Sequence, residues 1–376
     1  NGLVTTSQLQ AISASSIQGL NTAAVAGMDT THIAALTTQQ VAALTETQIQ
    51  ALGTSQVQAL ETTDVAALTT AQVSALSSSQ VTALTTAGIQ ALTSTQVQAL
   101  RNSQVASLTT EQLVVIETTD VAGLTSSTLR ALTTDQLVSL TTQQFAALSS
   151  TQLAALTTTQ VQALESVDVA AISTASLSGF DAGQIISLTS EQVAGLTTRQ
   201  LAALGTQQVV ALQTADMAGL SSDQVRALQT QQVAVLTTAQ LPNLSADWTS
   251  ALSTQQVAAI QTATLSRMTS AQVAAWTTAQ VAALGTAQVA NLTTQQLAAI
   301  GNDKIKALDT QDVAVLTTAH VQSLSRDLLE GMTTAQMAAM TTAPSGIGAL
   351  ASTRVPVWAM PCSTSVAKRP VPTRTS

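Results

Sequence analysis

The sequence predicts an all-α fold: an elongated α-solenoid of short helices, about six residues each, one per eight-residue repeat. Three observations predict it. The stretch "LTTQQVAALTETQIQALGTSQVQALETTDVAAL", Leu36 to Leu68, restates one octapeptide phrase several times over. The phase of that phrase holds from Ile12 to Met340 without insertion or deletion. Within each unit two large apolar sites stand three residues apart, behind a hydroxyl residue. Residues three apart share a face of a helix, and a hydroxyl just before such a face suits a helix N-cap.

Position 1 of the octad is the opening Leu, as at Leu44, Leu52, Leu60 and Leu68, with Ile172, Phe180, Met268 and Trp276 as variants. Position 6 is the second apolar site: Val41, Ile49, Val57 and Val65. These eight side chains exemplify the expected core. Position 8 is small, as at Ala43, Ala51, Gly123 and Gly219, which lets neighbouring backbones approach. Position 3 is mostly Thr or Ser, and position 5 mostly Gln, with Asp64, Asp120, Asp168 and Asp312 among the exceptions.

Two cap placements fit. A Thr at position 2 would form a capping box with Gln at position 5. A Thr at position 3 puts the caps at Thr38, Thr54, Thr62 and Thr70, with the Asp residues in the first turn, where the helix dipole favours them. The second placement is preferred, because it explains Gly53, Gly205, Gly285 and Gly301 at position 2 as left-handed residues that end the preceding helix.

A single continuous helix is not expected, because an octad repeat would wind its apolar stripe around the helix axis. The alternative is a β-solenoid, supported by the Thr and Val content and by the scope for Gln ladders. Against it stand the unequal spacing of the apolar sites and the abundance of Ala. One octad cannot bury enough apolar surface to fold alone, so stability is a property of stacked neighbours. The expected arrangement places Val and Leu inside and Thr and Gln outside.

The repeat covers residues 4–341, about 42 units. It loosens near 171–188, "AISTASLSGFDAGQIISL", and near 241–250, where Pro242 falls inside an expected helix and Trp248 breaks the consensus. Residues 342–376 hold most of the prolines, Cys362, Arg354, Lys368, Arg369 and Arg374; they read as a Pro-rich, basic, non-repeat tail. The start at Asn1 rather than Met reads as a processing or cloning boundary.

Charged residues make up only 9% and aromatics 1% of the chain, with net charge −8. A surface of this kind lacks the clustered Lys and Arg that phosphate backbones need, so no nucleic-acid partner is expected. No apolar run reaches the roughly 18 residues of a membrane span. One cysteine excludes a disulfide framework within the chain. His32 and His320 replace Gln at position 5, far apart in sequence, and no cofactor or metal is expected. The position-5 carboxylates read as helix-start charges, and no nucleophile elbow or phosphate-binding loop is present. No enzyme is expected, and the catalytic, cofactor-binding and metal sets are empty. Asn243 and Asn291 match the N-glycosylation pattern, as chance allows in so Thr- and Ser-rich a chain.

"LTTEQLVVI", Leu108 to Ile116, resembles the opening helix of a transcription-activator-like effector repeat, but the period, base-reading loop and basic character of that family are missing. "ALTTTQVQAL" and "LTTDQLVSL" carry a broader resemblance over residues 4–341, to Thr/Gln-rich octapeptide arrays of very large bacterial secreted and surface proteins, some labelled adhesins or haem-utilisation proteins. That resemblance implies an extracellular or cell-surface location in a bacterium and an adhesin-like setting. The haem label would need ligands that this chain does not supply.

The expected function is structural. The chain would serve a bacterial cell surface or extracellular appendage, self-associating into a filament or layer or forming an adhesin stalk. Its partners would be copies of itself stacked end to end, or cell-surface glycans; alternatively, it continues into further repeats. The rival reading is a solenoid that binds a peptide or glycan on one face, for which few aromatic anchors are available.

Overall fold

The computed structural model describes residues 5–342. Among these there are 41 α-helices, one 3-10 helix and no strand, so the β-solenoid alternative is not the fold. The chain divides into two compact units, Asn1–Leu252 and Ser253–Ser376. The Pro-rich basic tail beyond Thr342, with Cys362, lies outside the described residues.

The octad Thr37–Leu44 shows how the repeat folds. Thr37 is extended, with φ −80° and ψ 154°, and its Oγ1 accepts from the Gln40 amide at 3.3 Å. The helix Thr38–Ala43 follows. Leu44 leaves it in extended backbone at φ −57° and ψ 138°, and Thr45 caps the next helix, Glu46–Ala51. The chain therefore reverses through two extended residues, positions 1 and 2, without a left-handed one. Among the described residues only Gly301 has positive φ, 80°, between helices Thr294–Ile300 and Asn302–Ile305. That conformation excludes most side chains, and Gly adopts it without steric cost.

The caps thus sit one residue earlier than the sequence reading favours. Thr38, Thr54, Thr62 and Thr70 are the first helical residues, and the caps are Thr37, Gly53, Glu61 and Thr69. Gly53, Gly205 and Gly285 are caps in extended backbone, with φ −74°, −67° and −84°. Their Gly identity therefore follows from no need for positive φ. The physical reason for the shift is the Gln at position 5. Only three residues after the cap can its side-chain oxygen take the cap N–H while its NH2 points away from the helix.

In the first unit each helix packs against the helix three octads away: Thr38–Ala43 against Thr62–Ala67, and Thr62–Ala67 against Thr86–Gln90. The second unit repeats the rule, with Ser270–Ala274 against Thr294–Ile300 and Thr310–Ala314 against Thr334–Thr342. Each unit is an α-solenoid. Position 6 forms its centre, and position 1 closes the core from the side. Val41, Leu44, Ile49, Leu52, Val57, Leu60, Val65 and Leu68 are all buried.

The small residue at position 8 marks a close approach between turns. A Cβ built on Gly179 would lie 2.1 Å from the Ser150 carbonyl oxygen, and one on Gly331 2.5 Å from that of Asn302. The loosened stretch near 171–188 keeps the octad: Ser173 caps Thr174–Leu177, Phe180 fills position 1 and Asp181 caps Ala182–Ser187. Pro242 converts its unit to the 3-10 helix Leu241–Asn243, as its missing N–H and fixed ring demand. In the next octad, Ala246–Ser250, Trp248 is buried at position 5 and Thr249 takes position 6.

Candidate functional site

The chemically distinctive feature is the position-5 side chain, and it is internal. Gln72 on helix Thr70–Ala75 serves as the example. Its Oε1 accepts from the Thr69 amide at 2.7 Å, and its own amide donates to Thr69 Oγ1 at 3.1 Å, which completes a capping box. Its Nε2 then crosses to the helix Thr38–Ala43 and donates to the carbonyls of Leu44 at 2.6 Å and Val41 at 3.0 Å. Those carbonyls belong to a helix C-terminus: that of Val41 already accepts from the Leu44 amide and takes Gln72 as a second donor, while that of Leu44, past the last helical residue, lies beyond the intrahelical ladder. One primary amide therefore starts its own helix and closes the end of another, four octads earlier.

The same staple recurs through the first unit: Gln48 reaches Ile17 and Leu20, Gln104 reaches Val73 and Leu76, and Gln200 reaches Val169 and Ile172. In the second unit Gln288 reaches Val257 and Ile260, and Gln336 reaches Ile305 and Leu308. Packing falls three octads back and the staple four octads back, so one turn of each solenoid takes between three and four octads. These Gln residues are buried, Gln72 being 2% exposed. The expectation that Gln lies outside with Thr is therefore corrected for position 5. The physical reason is the cost of a helix end packed against another turn without hydrogen-bond partners. The sequence did hold a signal. Position 5 keeps one residue type while the exposed positions drift, and solvent alone does not demand a particular amide.

Residues that replace Gln reveal what the position requires. Lys304 Nζ donates to the Trp276 carbonyl at 2.9 Å and the Ala274 carbonyl at 2.5 Å. His320 Nε2 lies 2.7 Å from the Leu292 carbonyl, while its Nδ1 takes the Thr317 amide at 3.2 Å. His320 is thus buried as a substitute staple. His32 Nδ1 lies 2.6 Å from Oδ1 of its own cap, Asp29. Hydrogen bonds from the His32 amide and ring hold the Asp29 carboxyl below the usual carboxylate range.

The carboxylates at position 5 are in the first helical turn and are also buried: Asp64, Asp120, Asp168, Asp216 and Asp312. Burial pushes the Asp64 carboxyl up from 3.8 to about 6, assisted by the neighbouring charge of Glu61 and opposed by a hydrogen bond from the Glu61 amide. Burial likewise pushes up Asp168 and Asp312, with Glu165 and Asp309 adding to the effect. Asp216 Oδ1 accepts from Ser190 Oγ at 2.6 Å. Among the described residues no three His, Cys, Asp or Glu side chains come together as a metal-binding group. Nor is any helix among them long and apolar enough to cross a membrane.

No curated protein matches the sequence. One family model, the ALTTAQ repeat, matches in eight tandem copies at residues 26–54, 57–94, 113–150, 137–166, 161–198, 209–246, 257–294 and 305–342. The matches cover well over half of the chain and follow the octads whose positions 2 to 6 build the capping box and staple. This chain therefore belongs to the ALTTAQ repeat family.

Proposed function

We propose that the chain is a structural element of a bacterial cell surface or extracellular appendage, acting as a stalk or self-associating into a filament or layer, with no catalytic role. The observation that carries this reading is the recurrent staple. The position-5 amides are committed, turn after turn, to holding one octad against another. Among the described residues, Phe145, Phe180, Trp248 and Trp276 are all buried, which withdraws these large side chains from service as anchors in a peptide or glycan site. An array of this kind scales its length with the number of repeats, which suits a spacer. The sparse charge fits a surface of Thr and Ser.

The test is antibody labelling of intact producing cells, combined with protease shaving and electron microscopy of the purified protein. The expected result is label outside the cell and loss of the protein on shaving, with filaments, sheets or separate rods on the grid. Protein found only inside the cell and resistant to shaving would overturn the reading.

A further inference from the structure

At Gln72, Lys304 and His320, position 5 donates to the turn beneath it, through an amide, an ammonium and an imidazole in turn. Three chemistries share one requirement, a donor aimed at the C-terminal carbonyls of an earlier helix. Asp64 stands at that position, 2% exposed, in the helix Thr62–Ala67. Its carboxylate accepts from the Glu61 amide, as a Gln oxygen would. Its other oxygen, Oδ2, is buried without a hydrogen-bond partner. The carbonyls in register with it are those of Ile33 and Leu36, equivalent to the Val41 and Leu44 carbonyls that Gln72 serves. A carboxylate can only accept, so as an anion Asp64 cannot supply what the position requires.

We propose that Asp64 is a proton-operated staple: as the neutral acid it donates from Oδ2 to the turn beneath, and as the carboxylate it leaves that turn open. The surroundings favour the neutral form. The two helices packed against Thr62–Ala67 are Thr38–Ala43 and Thr86–Gln90, and neither carries an ionisable side chain. The helix beneath, Thr30–Ala34, carries His32, which is paired with Asp29. On its own side Asp64 faces Glu61, a like charge. The pairing of acids is systematic: Glu occurs at position 2 of the repeat at Glu61, Glu117 and Glu165, and each is followed by Asp at position 5. Asp120 Oδ1 is likewise buried without a partner.

The direction of the pH effect follows. The folded carboxyl is pushed up to about 6 from 3.8, so the folded state holds the proton more tightly than the unfolded chain. The stabilisation is fully present below the unfolded value and is lost as pH rises through about 6.

Hydrogen exchange read by mass spectrometry, at pH 5 and pH 7.5 and corrected for intrinsic exchange, tests this on the whole chain. Peptides spanning residues 30–37 and 61–68 report the Asp64 staple, and a peptide spanning 73–84 serves as reference. The expected result is a loss of protection of at least about tenfold at the Asp64 peptides on going to pH 7.5, with the reference unchanged. Asp64→Asn carries a neutral donor at every pH and is expected to abolish that loss; Asp64→Gln, the consensus residue, serves if the Asn variant does not fold. An equal loss in the variants, which still contain His32 and Glu61, would overturn the proposal, as would constant protection in the parent chain.

Discussion

Gln at position 5 does three jobs with one side chain. It accepts from the cap N–H, keeps the first turn in register and donates to carbonyls on another turn. A neutral hydrogen bond contributes about 1 kcal/mol net, whereas a buried group left without its partner costs about 1–3 kcal/mol. Gln80 donates to the carbonyls of Ile49 and Leu52, both at 2.8 Å, and accepts from the Ser77 amide at 2.7 Å. Gln80→Met keeps the volume and removes all of these, and is expected to cost about 2–4 kcal/mol in urea unfolding. Gln80→Lys retains a donor, as Lys304 does in its own octad, and is expected to cost less. Equal losses for the two variants would show that packing, not donation, matters there.

Each helix is defined by its cap at position 2, its short apolar face and its exit through extended backbone. Because helices this short are unstable in isolation, the cap carries an unusually large share of the local stability. The Gln72 amide donates to Thr69 Oγ1 at 3.1 Å, while Thr70 is an exposed first residue. Thr69→Ala is expected to lower stability by about 1 kcal/mol, and Thr70→Ala to leave it within about 0.5 kcal/mol. Thermal unfolding of both variants checks the assignment, and the reverse order would restore the cap to position 3.

Within each unit, stability rests on neighbours three and four octads apart, and register is the quantity that must be conserved. Removing one whole octad, Thr69 to Leu76, leaves every later Gln facing an equivalent pair of carbonyls. Inserting one residue after Ser77 displaces every later position 6 from the core in that turn. Circular dichroism melting is expected to show the deletion folded, with a melting temperature close to that of the parent. The insertion is expected to lower the melting temperature clearly or split the transition, because helix faces and staples fail together. A deletion that melts as poorly as the insertion would mean the octad is not the interchangeable unit. The acid staple at Asp64 belongs to this scale too, because one opened staple loosens two turns at once.

The octad by itself determined the helical class, the one-helix-per-repeat rhythm and the core. Val41, Leu44, Val65 and Leu68 declare themselves by spacing and size alone, because burial of apolar side chains on a helix face is a local, periodic constraint. The helix start was legible only to within one residue, since hydroxyls occupy both candidate positions and glycine at position 2 fits two explanations. The tertiary structure chose between them: Gln72 can reach Leu44 only if Thr69 is the cap. It likewise decided that Gln is interior, that turns close between three and four octads, and that Asp64 is buried. Those facts depend on residues about thirty apart in sequence meeting across turns, and no eight-residue phrase contains both partners.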